Sequence, residues 1–306
     1  MTTFARKTFD ALGYSAGRPT IPLGVVQAVL QRADVTARPS PRTALDLGCG
    51  PGQLARTLAE MKDPSSSQPL FARVRGVDPS PGMIETARGI ESAAPVDYAI
   101  GTAEDAESWA QDDEFDLIVC VQAAHWFEQS RAYPQLARIL KPGGTLAYLG
   151  YGEFYLPDRP KATDLIRSTM QGELSDYWEP GRRHVDSELD SIPFPSAADG
   201  PWDTRSSHRA KWIDDPQQTP AYAPPRSDAP VDERNPAVLD REWTRTQLQS
   251  YINSFSALHT YQERHGKGRA AEFGDQVWRA AGLPDDGAAT VTVRWPVTAM
   301  TMRKRA

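Results

Sequence analysis

Between residues 43 and 151, short apolar runs alternate with stretches in which apolar residues recur every three or four positions. The runs at 43–47, 72–77, 96–100, 115–121 and 145–151 read as strands. Residues 53–61, 81–92, 106–109 and 130–140 predict the crossover helices between them. This alternation predicts a parallel sheet covered by helices, and right-handed crossovers set the loops that follow the strands on one edge. In open α/β sheets that edge binds the ligand. Lys141, Pro142, Gly143 and Gly144 read as a helix stop and a tight turn into the fifth strand.

The remaining chain has other rhythms. Residues 4–33 read as a helical lead-in broken around Gly17, Pro19 and Pro22. The stretch 180–236 holds ten prolines among many Asp, Ser and Arg residues, which predicts neither regular sheet nor long helix. Its Ile192, Phe194, Trp202 and Trp212 nevertheless predict an excursion that packs on the body. Residues 245–263 predict one amphipathic helix, with Leu248, Ile252, Phe255, Leu258 and His259 on a common face. Residues 290–294 and 297–302 read as the last strand, with Pro296 at a bulge or edge. The expected division is a helical lid segment at 1–42, a nucleotide-binding core at 43–153, a substrate cap at 154–282 that includes 180–236, and the final strand or strands of the core sheet at 283–306.

Charge and composition narrow the partners. Lys and Arg number 34 against 40 Asp and Glu, a formal net charge of −6, so there is no global field to hold nucleic acid. The apolar runs are too short to span a bilayer, and the first residues lack a signal-peptide pattern, so a cytoplasmic protein is expected. Cys49 and Cys120 lie in a glycine loop and a core strand, which suits free thiols. His184, His208 and His265 have no metal spacing. A small molecule is the expected partner, with no membrane or nucleic acid, and a monomer is the expected state.

The sharpest motif is Asp46-Leu47-Gly48-Cys49-Gly50-Pro51-Gly52-Gln53. A strand ending in an acid, then glycines, then a helix start lets backbone approach a nucleotide-like cofactor closely. The dinucleotide fingerprint requires a sixth-place glycine, where this chain has Gln53, which disfavours an NAD-dependent dehydrogenase. Asp78 ends the second strand, where a carboxylate can accept two ribose hydroxyls. Ser80 before Pro81 is a natural helix cap, which leaves Asp78 freer for that task.

Gly48, Gly50 and Gly52 behind Asp46 resemble motif I of the class I S-adenosylmethionine-dependent methyltransferases. Asp78-Pro79-Ser80, Gly101 to Asp105, Phe115 to Phe127, and Leu136 to Leu146 follow in that family's order. The resemblance implies an α/β, Rossmann-like fold with a seven-stranded, mostly parallel sheet, helices on both faces and an inserted cap. It also implies S-adenosylmethionine as cofactor, leaving S-adenosylhomocysteine as product. Asp46, Gly48, Gly50, Gln53, Asp78, Pro79, Met83, Thr102, Ala103, Glu104 and Gln122 are then its expected contacts. Tyr14 to Pro22, Ala124-His125-Trp126-Phe127, and Trp243 with Ser254 to Ala257 resemble the trans-aconitate methyltransferase-like branch. That implies a methyl ester formed on a small di- or tricarboxylic acid.

A sulfonium methyl is already activated, so such a site mainly aligns the reactants and excludes water. A carboxylate is ionised at neutral pH and needs no base, whereas a phenol benefits from one. The expected catalytic residues are Tyr14, Arg18, His125 and Trp126. Tyr251, Ser254 and His259 join them as expected acceptor contacts. Arg18 reads either as a fork for a carboxylate or as a surface residue, and His125 either as donor or base or as a structural histidine. The alternatives are a methyltransferase for a phenolic or other secondary metabolite, which would lean on His125 as base, and a non-catalytic binding module on the same fold.

Overall fold

The computed structural model describes residues 18–212 and 239–306. Helix α1 (Leu23–Arg32) leads into β1 (Thr43–Leu47), α2 (Gln53–Glu60), β2 (Arg73–Asp78), α3 (Pro81–Gly89), β3 (Asp97–Ile100) and β4 (Phe115–Val121). Helix α4 (Gln129–Ile139) and β5 (Leu140–Tyr151) follow, then α5 (Pro160–Ser168), α6 (Arg182–Asp186) and β6 (Trp202–Trp212). The chain continues through β7 (Leu239–Thr244), α7 (Arg245–Asn253), α8 (Ser256–His265), α9 (Arg269–Ala280), β8 (Thr290–Trp295) and β9 (Val297–Lys304).

Seven strands form one sheet in the order β3-β2-β1-β4-β5-β9-β6. Strands β1 to β5 pair in parallel, and β9 runs antiparallel to both β5 and β6. Six strands therefore point one way and β9 the other, as the resemblance implies. Both faces are covered: Leu117 and Val119 of β4 join one apolar cluster, while Ile118 and Cys120 join the other. Double-sided burial is why β4 reads as a nearly continuous apolar run.

One cluster carries Val25, Val26 and Val29 of α1 and continues into Ile166, Leu248, Ile252 and Phe273, from the stretch expected to form the cap, and into Trp295 of β8. The other is built with Ala132, Tyr133 and Leu136 of α4, and takes in Ile192 and Trp202. Residues 154–282 thus contribute to the apolar clusters on both faces of the sheet. No helix among the described residues is long and apolar enough to cross a membrane.

Four expectations need correction. Residues 180–236 do contain regular sheet, since β6 is an edge strand of the core sheet. Of the two runs assigned to the final core strand, only β9 is in that sheet, and β8 pairs with β7 in a separate two-stranded sheet. Lys141 to Gly144 lie within β5, where Gly143 has φ +70°, so the irregularity is internal to the strand instead of preceding it. The single helix at 245–263 is two helices, broken where Ser254 Oγ donates to Tyr251 O at 2.6 Å.

Candidate active site

The loops at the carboxyl edge of the sheet enclose a cavity of about 650 Å³. The β1–α2 loop makes its floor. Gly48 and Cys49 donate their N–H groups to Val77 O at 2.7 and 3.0 Å, so the loop folds across the end of β2. Gly48 has φ +72°, and a Cβ there would lie 2.3 Å from Ala123 Cβ, so only glycine fits.

Asp46 is 1% exposed and accepts the Ala55 N–H at 2.9 Å, which ties the strand end to the first turn of α2. Burial is the chief reason its carboxyl is pushed up to about 7, with the Asp78 charge adding to it. Asp78 accepts Gly50 N and Ser80 N, each at 2.9 Å, and burial raises its carboxyl as well. A carboxylate offers about four lone-pair sites, so Asp78 keeps capacity for ribose hydroxyls while it braces the glycine loop. Ser80 caps α3, accepting Met83 N at 3.4 Å, with Pro81 at the first helical position.

The eleven residues expected to contact a cofactor all line this one cavity. Asp46, Gly48, Gly50 and Gln53 come from the first loop, Asp78, Pro79 and Met83 from the second. Thr102, Ala103 and Glu104 follow β3, and Gln122 follows β4. Glu104 is held in place by accepting Glu128 N at 2.8 Å. Gln122 takes a left-handed φ of +52° and donates from Nε2 to Tyr151 O at 2.9 Å. A volume in the range of sites for drug-sized ligands, with acids at two strand ends and backbone exposed by glycine, fits a nucleoside-bearing cofactor.

A second chamber of about 90 Å³ opens beside the first, and Arg18, Gln122, Trp126 and Tyr151 line both. Its inner wall is aromatic, with Phe154, Trp178, Tyr251 and Phe255. Arg18 stands at the neck: its Nη2 donates to Ser254 O at 3.2 Å, and its guanidinium lies 5.4 Å from the Tyr251 ring centroid. His125 lines the inner chamber 4.7 Å from the Trp126 ring, and its buried Nδ1 has no hydrogen-bond partner. Burial, then His184 and the guanidinium groups of Arg18 and Arg182, push its imidazole down to about 3. It is neutral at physiological pH.

The expected acceptor residues therefore divide. Arg18, His125, Trp126 and Tyr251 meet at the small chamber, with Tyr251 Oη accepting Trp295 Nε1 at 2.8 Å. Ser254 lines neither cavity and acts through its carbonyl on Arg18. His259 lies on the exposed side of α8 and lines neither cavity, because the break before α8 turns it away from the face of α7. Tyr14 lies outside the described residues. Glu153, Glu179, Arg182 and Trp178 of the small chamber, and Arg241 at the rim of the large one, were not anticipated. Glu153 had one usable signal, its place just past a core strand end.

Residues 45–148 match the family model of the methyltransferase domain. That stretch carries a methyltransferase domain, on the fold of the class I S-adenosylmethionine-dependent methyltransferases. A solved structure from Anaeromyxobacter dehalogenans, provisionally named a type II methyltransferase, is 25% identical, covers 94% of this chain and 98% of its own, and superposes with a TM-score of 0.64. An uncharacterized methyltransferase of Mycobacterium tuberculosis is 35% identical over 65% of this chain and 66% of its own length. The trans-aconitate 2-methyltransferase of Streptomyces coelicolor is 37% identical over 44% of this chain and 42% of its own. The methyltransferase chain spans about half the length of the curated relatives from Dictyostelium discoideum and Saccharomyces cerevisiae. Its cofactor is S-adenosylmethionine, and the dinucleotide reading is set aside.

Proposed function

We propose that this methyltransferase transfers a methyl group from S-adenosylmethionine to a carboxylate oxygen of a small aliphatic acid. The observation that carries the reading is Arg18 at the neck between the large cavity and a chamber of only about 90 Å³. An apolar cavity of about 150 Å³ is what holds a benzene ring, so the chamber suits a few aliphatic atoms better than a phenol. When bound, S-adenosylmethionine supplies an activated methyl. Arg18 holds the acceptor carboxylate through its planar fork, and Trp126 and Tyr151 wall the junction against water. His125 serves as a neutral hydrogen-bonding group.

The phenolic alternative leans on His125 as base, and an imidazole held near 3 is too weak to take a proton from a phenol near 10. Similarity to a trans-aconitate 2-methyltransferase supports an acid acceptor. A non-catalytic module has no need for a complete cofactor lining beside a second chamber.

Calorimetric titration of S-adenosylmethionine, followed by mass spectrometry with a panel of small aliphatic acids, trans-aconitate and simple phenols, tests the reading. Ester products with acids alone are expected, and Arg18→Ala should lower kcat/KM for acids by about tenfold to a hundredfold. Phenol ethers as the products, or an Arg18→Ala enzyme with unchanged acid kinetics, would overturn it.

A further inference from the structure

The inner end of the small chamber carries a carboxyl group that the reaction above leaves unused. Glu153 stands two residues past β5, lines the small chamber and not the large one, and its side chain is 13% exposed. One oxygen accepts Arg182 Nη2 at 3.0 Å. The other, Oε1, is buried with no hydrogen-bond partner. Arg182 also bonds Asp186 and lies 4.0 Å over the Trp178 ring, so its charge is divided between two acids. Glu179 lines the same chamber.

An acceptor reaching Glu153 meets a carboxyl oxygen that lacks a donor. A second carboxylate would approach Glu153 while the adjacent Arg182 guanidinium is already engaged by Glu153 and Asp186, an unfavourable like-charge contact. A hydroxyl or ammonium would instead give Oε1 the donor it lacks, relieving the cost of a buried, unsatisfied oxygen. Resting on the carboxyl-acceptor reading, we propose that Glu153 is a specificity-determining residue. It selects small acids that bear a hydrogen-bond donor, a hydroxyl or an ammonium, beyond the methylated carboxylate, and it rejects acids with a second carboxylate.

The preference is pH-dependent. Burial and Asp186 push the Glu153 carboxyl up to about 7, against the opposing pull of Arg182 on α6 and Arg167 on α5. Among the described residues, Glu179, Arg18, neutral His125 and Tyr251 are the other ionisable groups lining the chamber. The accepting, ionised form therefore grows as pH rises through about 7, and selection for a donor grows with it.

The test compares butyrate, 4-hydroxybutyrate, 4-aminobutyrate and succinate as acceptors for the wild type and Glu153→Gln, from about pH 6 to about pH 8.5. In the wild type, the better of the hydroxy and amino acids is expected to exceed butyrate in kcat/KM by about tenfold or more at the alkaline end. Succinate should fall below butyrate. The donor preference should shrink toward the acid end, and Glu153→Gln should flatten its pH dependence and narrow the gap to succinate. Which of the two donor acids leads identifies the donor. Succinate ahead of both, or a donor preference identical in Glu153→Gln at every pH, would overturn the proposal. Thermal melts and S-adenosylmethionine affinity check the variant's fold, and the wild-type ranking and its pH trend decide the matter if it does not fold. Cofactor binding with no ester from any acid would sink the carboxyl-acceptor reading and this inference with it, whereas esters with succinate preferred sink this inference alone.

Discussion

At the scale of single residues, the cofactor edge is built around two acids whose carboxylates do structural work before any ligand arrives. Asp46 holds the start of α2 through Ala55 N, and Asp78 holds the glycine loop through Gly50 N. Both sit largely out of water, and the Asp78 charge adds to the cost of ionising Asp46. Since burial pushes Asp46 up to about 7, the folded protein binds its proton more tightly than the unfolded chain does. Its contribution to stability is therefore full below about pH 4 and is lost as pH rises through about 7. Asp46→Asn keeps an acceptor for Ala55 N and removes the charge. The ligand-free variant is expected to melt above the wild type near pH 8, with the gap closing toward pH 4, when thermal unfolding is followed across that range. Equal destabilisation at both ends would show that the buried charge is not the load described here.

At the scale of elements, legibility followed burial. The glycine loop could be read because close approach and positive φ require glycine, and the outcome is directly testable there. Gly48→Ala places a Cβ 2.3 Å from Ala123 Cβ at φ +72° and should cost about 1–3 kcal/mol, with weakened cofactor binding. Gly89→Ala, at the end of α3 with nothing within 4 Å, should be neutral or stabilising by up to about 1 kcal/mol. Denaturant unfolding of both variants checks the contrast, and equal losses would remove the close-packing argument. Strands β1, β4 and β5 were legible because both faces are largely apolar, and β2 was legible through Val74 and Val77 despite Arg73 and Arg75. β6 was not, since its middle carries Thr204, Arg205, Ser206 and His208, and what holds it is backbone pairing to β9 together with buried Trp202. The break between α7 and α8 was hidden for a related reason: Leu248, Ile252, Phe255 and Leu258 are all buried, so the apolar pattern continues across it. Only a local side-chain bond from Ser254 marks it.

At the scale of the whole molecule, the two chambers divide the work between regions of different readability. The cofactor cavity draws mostly on one stretch of about a hundred residues whose motifs stand in a fixed order, so every cofactor contact expected from those motifs lines it. The small chamber gathers Arg18, His125, Glu153, Arg182 and Tyr251 from segments far apart in the chain, and no spacing rule connects them. The cap's contribution can be separated experimentally from that of the core. Met170 lines the small chamber and not the large one, is 3% exposed, and belongs to the apolar cluster shared by cap and core. Truncating it as Met170→Ala removes a flexible side chain from the chamber wall at a stability cost of about 2–5 kcal/mol. Because its side chain borders the acceptor space alone, S-adenosylmethionine affinity measured by calorimetry should hold while the range of acids esterified widens toward bulkier chains and benzoate. A variant that loses cofactor affinity yet keeps the wild-type acid profile would mean that the small chamber does not receive the acceptor, because enlarging it would then have left the choice of substrate untouched.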